Sequence, residues 1–201
     1  DYYDFMALPH GDLAFAIGDV AGKGISAALL MATIQSTMRT QLSSFDCNSS
    51  EPLSAAKMVG TLNRQLYATT SPEKYATFYF ALYDEQSHAL TYTNAGHLAP
   101  MLLRGSEIQM LDSTGTVVGI FPVALYEEKT VTLERGDVLL AYTDGIVEPE
   151  NVYGEMFGED RLKDLLVKYA KADSAELIAR TMEAVVQWTG AGELQDDMTM
   201  V

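Results

Sequence analysis

The chain has 201 residues, and its 28 Asp and Glu against 13 Lys and Arg give a formal net charge of −15. Such a charge repels nucleic acid and attracts cations, so a nucleic-acid partner is not expected. Neither a signal peptide nor an apolar run of about eighteen residues is present, so no membrane segment is predicted. The single cysteine, Cys47, cannot form an internal disulfide, which favours a cytoplasmic location.

The first predicted elements surround a glycine-rich loop. The apolar run from Leu13 to Gly18 predicts a buried strand, and the spacing of small and apolar residues predicts a helix from Ile25 to Leu42. A second helix is predicted from about Glu51 to Ala68, opened by Ser50 or Glu51 with Pro52 at its first position.

The pattern then changes to short strands separated by turns. Between Tyr75 and Tyr142 the predicted strands are YATFYFALYD, ALTYTNAG, APMLLRG, EIQML, KTVTLERG and DVLLAYTDG. Connections this short join antiparallel strands, so we expect an α+β fold with helices outside a β core. Helices return at EDRLKDLLVKYA and SAELIARTMEAVVQWTG, and a last strand is predicted to start near Met198. No linker, repeat or low-complexity tract appears, so one domain over residues 1–201 is expected.

The segment GDVAGKG, which starts at Gly18, has two nucleotide-binding interpretations. A P-loop does not fit, because Gly18 and Gly22 are one residue too close and Gly24 stands where the magnesium-binding hydroxyl belongs. A dinucleotide fingerprint fits Gly22, Gly24 and Ala27. However, the following segment SSFDCNSSEP offers neither the second strand nor the ribose-binding acid, which leaves this interpretation as a minor alternative.

Asp19 ends the first buried strand, where an unpartnered charge is unfavourable. In one interpretation Asp19 accepts backbone N–H bonds within the glycine turn. In the other it meets further carboxylates, because Asp144 ends the apolar run LLAYTDG and Asp196 and Asp197 precede the last strand. If these strand ends meet, carboxylate repulsion calls for a divalent cation, and all-oxygen ligands suit Mg²⁺ or Mn²⁺ rather than Zn²⁺. Spacing alone leaves open whether they meet.

The motifs GDVAGKG, NAGH, YTDG and DDMT follow one another in this order over nearly the whole chain. Together with DYYDF at the start and FGEDRL at Phe157–Leu162, they make the chain resemble bacterial PPM phosphatases of the sporulation-phosphatase and RsbU-like stress-response type. These belong to the PP2C-like superfamily. The resemblance implies a four-layer α-β-β-α sandwich of antiparallel sheets. It also implies that residues 1–201 are one phosphatase catalytic domain, the C-terminal part of a larger signalling protein.

The resemblance further implies a site for two divalent cations, Mn²⁺ or Mg²⁺. By position, Asp19 would bridge both cations and the backbone carbonyl of Val20 would bind one of them. Asp144 and Asp196 would complete the ligands of the other. Three more aspartates are expected around these ligands: Asp197, Asp1 and Asp4. Of these, Asp1 and Asp4, near the start of the chain, would hold metal-bound water.

The implied activity is hydrolysis of phosphoserine or phosphothreonine by a water activated between the cations, without a covalent intermediate. A thiol mechanism does not fit Cys47, because Leu53 stands where a cysteine phosphatase carries arginine. His97, in NAGH, is interpreted as part of a hydrogen-bonded turn with Asn94 and Gly96, although a role as general acid stays open.

The implied substrate is a phosphorylated anti-anti-sigma protein with a STAS domain, in stress or sporulation signalling. An upstream sensor or receiver domain is also implied. The resemblance also implies a switch at roughly Ile25–Ala68 that couples homodimerisation or partner binding to the metal site. The alternative function is a catalytically silent module that binds a phosphoprotein, which the retention of Asp19, Asp144 and Asp196 disfavours.

Overall fold

The structure is a computed structural model that describes residues 1–8, 12–44, 53–71, 73–190 and 196–201. The described residues form two compact units. Unit 1 comprises residues 1–97 and 112–133, and unit 2 comprises residues 98–111 and 134–201. Along the described ranges, no helix combines the length and apolar character that crossing a membrane requires.

Both units combine helices with an antiparallel sheet. Unit 1 contains β1 (Tyr2–Ala7), β2 (Leu13–Val20), α1 (Ile25–Ser43), α2 (Ala55–Thr69), β3 (Ala76–Asp84), β4 (Ala89–Ala95) and β7 (Lys129–Thr132). Unit 2 contains β5 (Met101–Arg104), β6 (Glu107–Met110), β8 (Val138–Leu140), α3 (Asp144–Val147), α4 (Gly158–Lys168) and α5 (Ser174–Thr189). The strand pairs in both sheets are antiparallel, which confirms the predicted α+β class.

The sheet of unit 1 has the strand order β1-β2-β3-β4-β7. The side chains of Tyr2, Phe78 and Phe80 are buried in one core with Ile34 of α1 and Leu62 of α2. Along β1, buried and exposed residues alternate, as expected for an edge strand with one face in the core. The sequence analysis did not predict β1 as a strand, because DYYDF mixes charged and aromatic residues.

The predicted bounds of α1 are confirmed to within one residue, whereas the predicted start of α2 is wrong. Residues 50–52, where the sequence places the cap and first turn, lie outside the described residues. The helix begins at Ala55 instead, after Ser54 as N-cap. The Ser54 hydroxyl oxygen accepts the N–H of Lys57 at 3.2 Å and so satisfies a donor of the first turn.

The sheet of unit 2 has the strand order β6-β5-β8. Its apolar side chains share a second core with the helices of this unit, including Leu103, Tyr142, Leu162 and Val185. The predicted α4 and α5 are confirmed to within two residues at each end.

The last predicted strand forms only in part. Ala141 and Val201 exchange two backbone hydrogen bonds of 2.9 Å, and Tyr142 and Met200 form an isolated antiparallel bridge. The end of the chain therefore pairs with the residues that lead from β8 into α3. The short helix α3 itself, which begins at Asp144, was not predicted.

Candidate metal centre

The glycine loop turns the chain sharply from β2 into α1. Gly22 and Gly24 have φ angles of 98° and 77°, in the left-handed region that favours glycine. Gly24 is the N-cap of α1 and provides no side-chain hydrogen bond. The loop leaves Asp19 near the end of β2, with its side chain 36% exposed.

The register between β2 and β3 places Asp19. A Cβ atom at Gly18 would lie 2.5 Å from the carbonyl oxygen of Thr77, so only glycine allows the strands to lie this close here. Asp19 is opposite Thr77, and its N–H donates to Thr77 Oγ1 at 3.2 Å. Val20, the next predicted ligand, is buried opposite Ala76.

The NAGH segment forms the turn that the sequence predicts. The backbone N–H of His97 donates to Asn94 Oδ1 at 2.9 Å, and Gly96 has a φ of 71°. The His97 side chain is buried, with Nδ1 2.9 Å from Thr77 Oγ1. His97 therefore connects this turn to Thr77, the residue of β3 that is opposite Asp19. The spacing of the motifs did not reveal this link.

The two aspartates at the start of the chain have different surroundings. The backbone nitrogen of Asp1 lies 3.9 Å from Asp19 Oδ1. Both carboxylate oxygens of Asp4 instead accept hydrogen bonds from Arg39 of α1, Oδ2 from Nε at 2.8 Å and Oδ1 from Nη2 at 2.7 Å. Asp4 also accepts the hydroxyl of Tyr2 at 3.2 Å. Burial, with the Asp4 carboxylate as the next cause, raises the pKa of Tyr2.

Asp4 therefore has a structural partner on α1, and its predicted role with metal-bound water stays a prediction. The sequence analysis missed Arg39, because the two residues are 35 positions apart and no local pattern pairs them. The sequence YYDFMA has no apolar–polar alternation that would signal the pair, and only the structure shows that Asp4 lies on the core side of β1.

In unit 2, the start of α3 and the DDMT motif come together. Thr143 N–H donates to the carbonyl of Thr199 at 3.0 Å, and Thr199 N–H donates to Thr143 Oγ1 at 3.1 Å. A Cβ atom at Gly145 would overlap the carbonyl oxygen of Asp197, so the close approach requires glycine. Asp144 and Asp197 therefore stand at the same end of this unit.

The predicted ligands and the aspartates expected around them thus form two small groups. Unit 1 places Asp1 beside Asp19, and unit 2 places Asp144 near Asp197, whose N–H donates to Asp196 Oδ1 at 2.9 Å. Within the described ranges, no set of three or more His, Cys, Asp or Glu side chains is close enough to hold a metal ion. The predicted donors are carboxylate oxygens and the carbonyl oxygen of Val20, which is the chemistry that Mg²⁺ and Mn²⁺ favour.

The fold is that of the PP2C-type phosphatases, as predicted. The RsbU and RsbW domains of Rv1364c from Mycobacterium tuberculosis match with a TM-score of 0.80 and 26% identity, over 100% of this chain and 53% of that one. The SiaA-PP2C domain of Pseudomonas aeruginosa matches with a TM-score of 0.85 and 19% identity, over 99% and 78%. RsbX in complex with magnesium matches with a TM-score of 0.68 and 19% identity, over 99% and 83%.

Residues 9–201 match the family model described as Stage II sporulation protein E (SpoIIE), and the chain belongs to this family. Protein IcfG of Synechocystis sp. is 28% identical over 222 residues, and phosphoserine phosphatase RsbU of Bacillus subtilis is 26% identical over 203 residues. Both alignments cover the whole chain but only 35% of IcfG and 58% of RsbU.

Proposed function

We propose that the chain is a single catalytic domain of a protein serine/threonine phosphatase that requires two divalent cations, Mn²⁺ or Mg²⁺. The observation that carries this proposal is membership of the SpoIIE family over residues 9–201, and the similarity to RsbU, a phosphoserine phosphatase, supports the reaction class. In each unit a tightly packed glycine adjoins a proposed ligand, Gly18 before Asp19 and Gly145 after Asp144, and restricts where the backbone of that aspartate lies.

The proposed ligands are Asp19, the carbonyl of Val20, Asp144 and Asp196. Bound cations would supply an acidified water and neutralise charge on the phosphoryl oxygens. In this proposal the β2–β3 register would position the first two ligands, and the pairing of residues 199–201 with residues 141–143 would position the other two. Asp197 and Asp1 would support these ligands from beside them.

The first experiment titrates Mn²⁺ while following hydrolysis of an aryl phosphate. The parent chain should gain activity with Mn²⁺, and Asp19→Asn should lose about 100-fold or more, because a metal ligand is removed. Asp84→Asn is the matched control, because Asp84 is the exposed last residue of β3, where its carboxylate accepts the N–H of Ser87 at 2.7 Å. If the folded parent chain shows no activity at any Mn²⁺ concentration, the proposed enzymatic function is contradicted.

Thermal unfolding of the same samples distinguishes the phosphatase from the alternative function, a silent phosphoprotein-binding module. Mn²⁺ should raise the melting temperature of the parent chain more than that of Asp19→Asn, because the ion binds the folded state. A rise in the parent without any hydrolysis would favour a silent phosphoprotein-binding module. Equal rises in both proteins would remove Asp19 from the metal site.

The proposed substrate is a phosphorylated STAS-domain protein, and the proposed location of the reaction is the cytoplasm. The support is the similarity to RsbU and to a protein whose structure contains RsbU and RsbW domains. Since the chain spans only 35% of IcfG and 58% of RsbU, we also propose an upstream sensor or receiver domain. Loss of phosphate from a phosphorylated STAS protein should be faster than from a phosphoserine peptide of the same sequence, as measured on a phosphate-affinity gel.

The proposed switch and homodimer contact involve α1. Ile25 and Leu29, one turn apart on this helix, are 82% and 65% exposed. Thr37 Oγ1 and Gln41 Nε2 are buried and have no hydrogen-bond partner within the described ranges. A helix with exposed apolar residues and unsatisfied buried polar atoms is suited to changing its packing. Leu29→Glu should lower the dimer fraction measured by light scattering.

A further inference from the structure

Two consecutive hydrogen bonds connect the backbone of Asp19 with the ring of His97. The N–H of Asp19 donates to Thr77 Oγ1 at 3.2 Å, and Thr77 Oγ1 lies 2.9 Å from His97 Nδ1. The ring belongs to a side chain that is only 5% exposed. Water therefore has little access to compete for the Thr77 hydroxyl from this side.

The Thr77 hydroxyl can serve both neighbours at once. An amide N–H only donates, so the Thr77 oxygen accepts from Asp19. The oxygen has a second lone pair and the hydroxyl has one proton, so the contact with His97 Nδ1 forms in either tautomer of the ring, with the donor set by that tautomer.

His97 is itself anchored to a fixed point of β4. Its backbone N–H donates to Asn94 Oδ1 at 2.9 Å. The carbonyl of Asn94 accepts the N–H groups of Thr114 and Gly115 at 2.8 and 3.1 Å. The ring is thus held by a turn that is hydrogen-bonded on both sides, and Thr77 is held by the ring.

We propose that Thr77 and His97 are positioning residues that fix the Asp19 backbone and thereby the direction of its carboxylate toward a cation. The metal part of this inference rests on the proposed function. Side chains that hold a metal ligand in place typically change metal affinity by about 10- to 100-fold when they are removed. A Thr hydroxyl shared between the amide of a predicted ligand and a buried imidazole fits that description.

The test compares two substitutions at one position. Thr77→Val keeps the branched shape and the strand propensity but removes the hydroxyl, whereas Thr77→Ser keeps the hydroxyl. Thr91→Val is the matched control, because the Thr91 hydroxyl bonds to Thr130 Oγ1 at 2.8 Å on the same sheet. Any general effect of losing a threonine hydroxyl from this sheet appears in the control.

Two measurements are made on all four proteins. Nitrogen-15 NMR of the metal-free proteins reports the ring tautomer of His97 and the amide signal of Asp19. Calorimetric titration with Mn²⁺ reports metal affinity without turnover. We expect the parent's His97 ring signals and Asp19 amide signal to be kept in Thr77→Ser and shifted in Thr77→Val. The Mn²⁺ dissociation constant should rise about tenfold in Thr77→Val and remain near the parent value in Thr77→Ser and Thr91→Val.

Unchanged His97 and Asp19 signals in Thr77→Val, or an unchanged Mn²⁺ affinity, overturn the positioning role. Equal loss of affinity in Thr77→Val and Thr91→Val also overturns it, because the effect is then a general loss of stability. A parent that binds Mn²⁺ and shows the expected differences without hydrolysing the aryl phosphate contradicts the proposed function alone. A parent that hydrolyses the phosphate while Thr77→Val binds Mn²⁺ normally contradicts the positioning role alone.

Discussion

The two units hold their predicted ligands by the same device in different settings. In unit 1, Gly18 lets β2 lie against the carbonyl of Thr77, and Asp19 follows it. In unit 2, Gly145 lets the carbonyl of Asp197 approach the first turn of α3, and Asp144 precedes it. At both places the absence of one side chain determines where a carboxylate stands.

The neighbours of these glycines differ in how firmly they are held. Thr77 belongs to a central strand that pairs along its length with β2 and β4. Asp197 precedes a segment that pairs with residues 141–143 through a few backbone bonds and one isolated bridge. A change at Gly18 therefore strains a whole sheet, while a change at Gly145 is relieved by moving a short segment.

The largest effect is expected for Gly18→Ala. The new methyl group has no free space, because backbone and the Phe78 side chain lie 2.5 and 2.9 Å from its position. We expect the free energy of unfolding to fall by about 3 kcal/mol. Urea denaturation measures this. Gly60→Ala is the control, because its Cβ would meet nothing closer than 3.7 Å inside α2, and it should gain about 0.5–1 kcal/mol. Equal effects of the two changes would contradict the packing argument.

Gly145→Ala should lower stability less but disturb the ligands of unit 2 more. The methyl group displaces the Asp197 carbonyl, and the segment that follows can move with it. We expect a loss of about 1–2 kcal/mol in urea denaturation and at least about tenfold weaker Mn²⁺ binding by calorimetry. A variant that keeps the parent's Mn²⁺ affinity would show that this close approach does not serve the ligands.

A smaller effect distinguishes the buried tyrosines of the two units. Tyr79 in unit 1 has a fully buried hydroxyl with no partner among the described residues, and burial raises its pKa. Tyr142 in unit 2 donates to Glu159 Oε1 at 3.2 Å. Tyr79→Phe should leave the free energy of unfolding unchanged or raise it by about 1 kcal/mol, whereas Tyr142→Phe should lower it by about 1 kcal/mol. Thermal and urea unfolding of both variants check the opposite signs.

The smallest expected effect is on how the free energy of unfolding depends on pH, through Asp137 in unit 2. The hydrogen bond from Arg104, 2.6 Å at the closest atoms, lowers the pKa of Asp137 below its ordinary value. A lowered folded-state pKa stabilises the protein above the unfolded-state value of about 3.9, and the contribution is lost as the pH falls through the folded-state pKa. Asp137→Asn should therefore lose stability at neutral pH and show a flatter decline below about pH 4 in urea denaturation. If the parent and Asp137→Asn show the same dependence of stability on pH, the Arg104–Asp137 pair is excluded as its cause.

Sequence patterns predicted the helices α1, α4 and α5 and most strands, because periodicity and turn residues are local signals. They placed the start of α2 too early, because the effective cap is Ser54, which bonds to Lys57 three residues on. They missed β1, whose alternation becomes visible only when its core face is known. The candidate aspartates came from their position after apolar runs and from the order of the motifs.

By itself, the sequence determined the α+β class and the family and indicated candidate acidic residues for a cation, because strand ends, glycines and motif order depend on neighbouring residues. Only the tertiary structure decided what surrounds those residues. It joined Asp4 to Arg39, set Thr77 between Asp19 and His97, and brought Asp197 against Gly145. Such contacts link residues tens of positions apart, and strand register and backbone packing determine them.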